Sequence, residues 1–450
     1  MTKPRSILFT MLLLASSILF LTLFLEGVLR LLPIDRTVIS QLMTHNKYVD
    51  ANTSNAISVI DYKPNTSFRH QSTEFDYEIK INSKGLRSRE ISYEKNKGEF
   101  RILVIGPSWC FGWGVPIENS IPFILEQKLR NHYRTDQITV INAGVPGQWV
   151  FGNLLFYMKE GYKYHPDAVI QIQAHDFSYQ GIEDLKKISN ADLILKEDDV
   201  FKLLYKKVSE IPLVRNSVLF YFTTERLRRS YIARGIIRRY AIRYGFISFG
   251  SLEKQSEEKI NNFLKLNEIE NPLFASLIRK KFDLLDSLSN FSSKEIIDKI
   301  YMRGAPGSYK MNKVDIKAQD PAIQAFFNGV GGILHDFMEI LRQQEIMYLF
   351  YNIDGHALLS GLDAEKDKLI SDYAAASLHS NSIPFISYDN YLFNDLGYSY
   401  GDHNMKEIFY PLDRHPTKKG YALLSEILYN KVITLGWIGD SKETVEDLLQ

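Results

Sequence analysis

In the stretch RILVIGPSWCFGWGVP, residues 101–116, four consecutive aliphatic residues run into a turn where Ser108 stands among Gly106, Gly112 and Gly114. The run from Ile102 to Ile105 suits a strand covered on both faces. A serine hydroxyl just past such a strand becomes a nucleophile only if a histidine takes its proton and a carboxylate orients that histidine. Three further stretches contain residues of the required types. NAGVPGQW places Gly147 after a strand ending at Asn142, and QAHDF places His175 and Asp176 after one ending at Gln173. PLDRHPTKKGY places Asp413 and His415 directly before the last helix.

The chemistry these residues could do together is acyl transfer through serine. Asp413 and His415 are close enough in sequence for the carboxylate to accept from one imidazole nitrogen, which leaves the other to face Ser108. Pro416 suits the start of a helix and would fix where the histidine-bearing loop ends. A tetrahedral oxyanion needs donors, and the candidates are the Ser108 N–H, the Gly147 N–H and a side chain from the third stretch, His175. At Gly147 the missing Cβ would let backbone approach a substrate closely. A lone G-x-S turn is more often a connection than a nucleophile, so the weight rests on all four stretches occurring in order. Asp402–His403 and Asp354–His356 could equally form acid–histidine pairs. No H-E-x-x-H or comparable spacing points to a metal, and no cofactor is implied.

These residues need a scaffold that brings strand ends together. Strands are predicted at 101–105, 138–142, 168–173, 346–352 and 384–387, with helices at 119–133, 150–162, 323–343, 362–379 and 417–433. That alternation predicts an α/β three-layer sandwich with a parallel sheet, flavodoxin-like, whose site lies at the carboxyl ends of the strands. The α/β domain is expected over 101–180 and 321–438. Residues 181–320 break the rhythm and read as a helical insertion or cap. Within it, Arg226 to Arg243 carries seven arginines interleaved with apolar residues. That stretch reads either as a solvated face or as a contact for anionic lipid or glycan. Residues 37–100 read as a linker and a small β element, in which FDYEIKIN alternates as a strand and NSKGLRSRE supplies the turn.

At the amino terminus, Lys3 and Arg5 precede an uncharged run from Ile7 to Leu25. As a helix it spans roughly 30 Å, about one hydrocarbon core. A cleaved signal peptide is the competing reading of LLLASS, but the run is longer than an h-region and has no clear cleavage site. Residues 1–36 are therefore expected to be a short cytoplasmic tip and a transmembrane anchor, with the bulk of the chain outside the cytoplasm. The 450-residue chain is 45% hydrophobic and 24% charged, as in ordinary folded proteins, and its net charge of +1 gives no reason to expect nucleic acid. The single cysteine, Cys110, excludes an intrachain disulfide framework.

In order and spacing the four stretches resemble the SGNH, or GDSL-type, hydrolase family, whose pattern is G-D-S, N-x-x-x-x-G, G-x-N-D and a final D-x-x-H or D-x-H. The resemblance covers about 75–178 and 320–435. INSKGLRSRE and the anchor ending FLEGVLRLLP are similar to membrane-anchored bacterial members. It implies Ser108 as nucleophile, Asp413 and His415 as the other triad members, and Ser108, Gly147 and His175 as oxyanion or substrate-binding groups. Two positions depart from the pattern: Pro107 replaces the aspartate before the serine, and His175 replaces the asparagine. Proline leaves the Ser108 N–H intact, and a neutral imidazole can still donate one N–H. The implied function is a serine esterase or O-acyltransferase in the inner membrane of a bacterium, acting on an acylated cell-surface or exported polysaccharide or a small ester. The alternative is a catalytically weak or inactive glycan-binding or assembly protein that keeps the fold.

Overall fold

The structure is a computed structural model that describes residues 3–31, 49–50, 61–72, 74–146, 148, 150–174, 217, 219, 223, 257–266, 269–288, 321–353, 364–388, 391–392, 397, 405–410, 413 and 415–438. Its centre is a five-stranded, wholly parallel sheet of β3 (Phe100–Gly106), β4 (Ile138–Gly144), β5 (Ala168–Ala174), β6 (Met347–Ile353) and β7 (Phe385–Ser387). The strands lie in the order β4-β3-β5-β6-β7, the flavodoxin-like order in which the first strand sits inside the second. Every aliphatic side chain from Ile102 to Ile105 is fully buried. Period-two alternation sends Leu103 and Ile105 into one core and Ile102 and Val104 into another, so the sheet is the middle of three layers. Each such burial contributes about 1.5–3 kcal/mol before chain entropy is counted.

On the Leu103 side lie α4 (Val150–Lys159), α7 (Pro321–Gln343) and α8 (Ala364–Ser380). Two helices from the expected insertion, α5 (Glu257–Leu266) and α6 (Pro272–Leu288), share that core through Ile260, Leu264, Phe274 and Leu277. The other face carries a four-residue helix, α2 (Ser108–Phe111), with α3 (Ile121–Tyr133) and α9 (Lys418–Leu435). Strand and helix bounds match the expected ones to within a few residues, with two informative differences. The helix expected over 150–162 stops at Lys159, and a 3₁₀ turn, Gly161–Tyr164, follows. An added Cβ on Gly161 would lie 2.8 Å from Leu103 Cδ2, so this turn packs directly on the sheet. The last helix does not begin at Pro416: Pro416 bridges to Phe409, and Thr417 caps the helix by accepting the Gly420 N–H. A threonine oxygen can satisfy a first-turn N–H, which proline cannot.

The small β element is an antiparallel hairpin of β1 (Ser67–Gln71) and β2 (Asp76–Lys80). Its inward residues Phe68, Tyr77 and Ile79 form a third core with Phe75, Phe111 and Trp113, so the hairpin sits on the turn that carries Ser108. The amino-terminal helix α1 (Lys3–Leu31) exposes Leu13, Leu14, Ile18, Leu19, Phe20 and Phe24, and Leu13–Leu31 is long and apolar enough to cross a membrane.

Gly144 is among the tightest positions in the fold: an added Cβ would lie 2.2 Å from the Phe111 backbone nitrogen. Gly144→Ala should cost about 1–3 kcal/mol in chemical unfolding of the full chain in detergent. At Gly332, inside α7, a Cβ would meet nothing within 4 Å, so Gly332→Ala should be neutral or stabilising by about 0.4–1 kcal/mol. Equal effects from the two substitutions would contradict this account of the packing.

Candidate active site

Ser108 stands two residues beyond the end of β3, next to the end of β4, because Gly106 and Gly144 are register partners. Pro107 is extended, at φ −81° and ψ −156°, and turns the chain out of the sheet into α2. The helix can begin there only because both glycines lack a side chain. A Cβ on Gly106 would lie 2.8 Å from Cys110 Cβ and from the Ile172 carbonyl. Gly112 ends the helix at φ +85°, a left-handed conformation that suits glycine. Asn142 ties the strand end to the turn: its side-chain oxygen accepts the Gly144 N–H at 3.0 Å and its amide reaches the Phe111 carbonyl.

His415 approaches from the other end of the chain, on a loop closed at its neck. The Tyr410 N–H donates to the His415 carbonyl at 2.9 Å and the Thr417 N–H to the Ile408 carbonyl at 2.8 Å. His415 Nδ1 lies 2.6 Å from Asp413 Oδ1, and His415 Nε2 lies 2.7 Å from Ser108 Oγ. An ionised carboxylate can only accept, so Nδ1 carries the proton in this pair. In the neutral ring Nε2 is then the acceptor, and the Ser108 hydroxyl donates to it. The Asp413 side chain is 6% exposed and that of His415 is 22% exposed. Asp413 is thus shielded, while the histidine still reaches the surface where a substrate can enter.

Burial pushes the Asp413 carboxyl upward. The His415 charge and the hydrogen bonds from His415 and Trp113 outweigh that, leaving it below the ordinary aspartate value. Its second oxygen, Oδ2, accepts from Trp113 Nε1 at 3.1 Å. The Asp413 backbone N–H donates to Glu74 Oε2 at 2.8 Å, at the turn of the β1–β2 hairpin.

Arg87, from the expected turn NSKGLRSRE, is 1% exposed and lies behind α2. It donates to the carbonyls of Phe111, Gly112 and Val115 at 2.7–3.0 Å, just where a helix end leaves acceptors without partners. Its guanidinium also faces the rings of Tyr77 and Phe111. Two residues on, Arg89 clamps Glu126 of α3 through both carboxylate oxygens, and Glu126 accepts the Val140 N–H of β4.

The structure therefore brings Ser108, His415 and Asp413 into one hydrogen-bonded line. Gly147, His175, the pairs Asp402–His403 and Asp354–His356, and Arg226 to Arg243 lie outside the described residues. Trp113, Glu74 and Arg87 are site residues that sequence reasoning did not single out. Trp113 was within the quoted turn, but its indole contact joins residues 300 positions apart and has no local signature. Among the described residues no three His, Cys, Asp or Glu side chains converge as a metal centre requires.

Two consequences can be measured. Because Asp413 is held below its unfolded value, its stabilisation is complete above the ordinary value of 3.8 and is lost as pH falls through the folded value. Asp413→Asn should therefore be less stable than wild type at neutral pH, with the gap shrinking below pH 3.8; a gap that does not change with pH contradicts the assignment. Arg87→Met leaves buried carbonyls without donors, at about 1–3 kcal/mol for an orphaned group. It should lower the unfolding midpoint well beyond an exposed control such as Arg69→Met, Arg69 being mostly exposed.

No protein-family model matches the chain, and no curated protein matches it. Among solved structures it is similar to a provisionally assigned lipolytic protein of the G-D-S-L family from Desulfitobacterium hafniense DCB-2. The identity is 11% and the TM-score 0.30, over 74% of this chain and 99% of that one. At that distance the likeness assigns neither a family nor an activity.

Proposed function

We propose that this chain is a membrane-anchored serine esterase or O-acyltransferase of the SGNH type, working outside the cytoplasm through an acyl-Ser108 intermediate. The observation that carries the reading is the line from Asp413 through His415 to Ser108, at 2.6 and 2.7 Å. No proton needs to be repositioned before reaction: Ser108 already donates to Nε2, and Nδ1 is already held by a buried carboxylate.

The steps follow from those positions. As Ser108 Oγ attacks the ester carbonyl carbon, Nε2 takes the hydroxyl proton and the carbonyl oxygen becomes an oxyanion. The Asp413 carboxylate stabilises the imidazolium that forms. The Ser108 N–H, in the first turn of α2 where helical N–H groups lack intrahelical partners, is one oxyanion donor. Gly147 and His175 are the other two in this reading. Collapse expels the alcohol, which receives the proton from Nε2 and leaves acyl-Ser108. A water or a glycan hydroxyl then gives its proton to Nε2 and takes the acyl group, which restores Ser108. Water makes the protein an esterase, and a sugar hydroxyl makes it a transferase.

In this reading the helix Leu13–Leu31, long and apolar enough to cross a membrane, is the anchor in a bacterial inner membrane, with the α/β domain outside. That placement favours an acylated cell-surface or exported polysaccharide as substrate, with Arg226 to Arg243 available to meet anionic lipid or glycan.

The test is hydrolysis of a small chromogenic acetyl ester by the full chain in detergent, beside Ser108→Ala. Loss of Ser108 should lower kcat by about 10⁴ or more. Equal hydrolysis by both proteins would remove Ser108 as nucleophile. Failure of both, with no fluorophosphonate labelling of Ser108, would instead support a glycan-binding or assembly protein. Adding a polysaccharide acceptor to an acetyl donor separates transferase from esterase.

A further inference from the structure

The Asp413 carboxylate has two oxygens, and only one serves His415. The other accepts from Trp113 Nε1 at 3.1 Å. With both oxygens engaged the carboxylate plane cannot rotate freely, and that plane sets where Nδ1 and therefore Nε2 point. The same indole lies beside the imidazole, with ring centroids 5.5 Å apart at 32°. Trp109 lies near the His415 ring as well, at 6.4 Å.

Trp113 is itself held on every side. Its backbone N–H donates to the Ser108 carbonyl at 3.0 Å, and its carbonyl accepts from Tyr421 Oη at 2.9 Å. The next residue, Gly114, is in a left-handed conformation at φ +87°. Its N–H donates to Tyr77 Oη and its carbonyl accepts from Tyr410 Oη, both at 2.9 Å. The His70 ring of β1 meets the indole edge-on at 4.3 Å. Three elements distant in sequence thus hold Trp113 and the turn that carries it: the hairpin, the histidine loop and α9.

We infer that Trp113 is the positioning residue of this site: it fixes the Asp413 carboxylate through its N–H and the His415 ring through its face, on the same short loop that carries Ser108. The inference rests on the acyl-serine reading above. Ser108 and Trp113 are joined by a backbone hydrogen bond, and Trp113 and Asp413 by a side-chain one, so the nucleophile and the acid are referenced to one rigid turn. The β1–β2 hairpin is then part of the catalytic unit, because it holds Trp113 through His70 and Tyr77 and holds the Asp413 backbone through Glu74.

A tryptophan that only fills the aromatic core would keep its effect when replaced by another ring; one that positions Asp413 needs the N–H. In the full chain in detergent, Trp113→Phe should slow fluorophosphonate labelling of Ser108 by about 10–100-fold, the range expected for losing a hydrogen bond to a charged group. Its unfolding midpoint should also fall, because a buried carboxylate oxygen loses its donor, so labelling is read well below that midpoint. A second readout does not depend on that variant folding. The chain has four tryptophans, so [15N]tryptophan labelling gives a short set of indole signals. The Trp113 indole N–H signal should shift in Asp413→Asn.

Normal labelling by a folded Trp113→Phe, or an indole signal indifferent to Asp413→Asn, overturns the positioning role and leaves the acyl-serine reading standing. Absence of Ser108 labelling in the wild-type chain overturns that reading, and this inference with it.

Discussion

The site depends on how residues 106–115 leave the sheet. A chain ending a central parallel strand normally needs several residues to clear its neighbours before a helix can start. Here α2 begins two residues after β3, pressed against the end of β4. Its backbone lies where any Cβ on Gly144 would have to be. That contact removes the freedom of Ser108 relative to the sheet, and it explains why so short a helix can carry a precisely oriented hydroxyl. The cost falls at the other end of α2, where carbonyls are turned into the protein away from water.

Arg87 meets that cost. A buried cation is unfavourable unless its donors are used; the two terminal nitrogens of Arg87 bond the three carbonyls that close the turn and its plane rests on aromatic rings, while its Nε has no partner among the described residues. No carboxylate is needed as its hydrogen-bond partner, so the charge is not drawn out of place by an ion pair. The consequence is a division of labour along 82–90. Arg87 braces the turn that carries Ser108, while Arg89, through Glu126, braces the helix and strand behind it.

The geometry of the candidate site is therefore assembled from three parts of the chain. The sheet presents Ser108, the loop before α9 presents Asp413 and His415, and the hairpin closes over both through Glu74, His70 and Tyr77. The carboxylate is the meeting point: it takes hydrogen bonds from His415 and from Trp113, and its own backbone N–H is bound by Glu74. A buried carboxylate with each of these partners in place remains ionised, and an ionised carboxylate keeps the imidazole in the tautomer that leaves Nε2 free to accept.

Much of this was determined by the sequence alone, wherever the cause is local. Runs such as ILVI and AVIQIQ, separated by amphipathic stretches, can bury both faces only as parallel strands between helices, so the α/β sandwich was legible, as was the anchor-length apolar run. The Asp413–His415 spacing is also local, and a carboxylate two residues from an imidazole can reach Nδ1, but Asp354–His356 has the same spacing, so the chain offered the pair without singling it out. Tertiary structure decided what depends on contacts across hundreds of residues. Nothing in the neighbourhood of Trp113 announces that its indole meets Asp413, and nothing in NSKGLRSRE announces that Arg87 fills the far end of a helix. Hydrophobic periodicity reports which side of an element is buried, whereas a polar side chain's partner is set only when separate elements pack. That is why the sheet could be read from the chain, and the residues that hold Asp413, His415 and Ser108 in line could not.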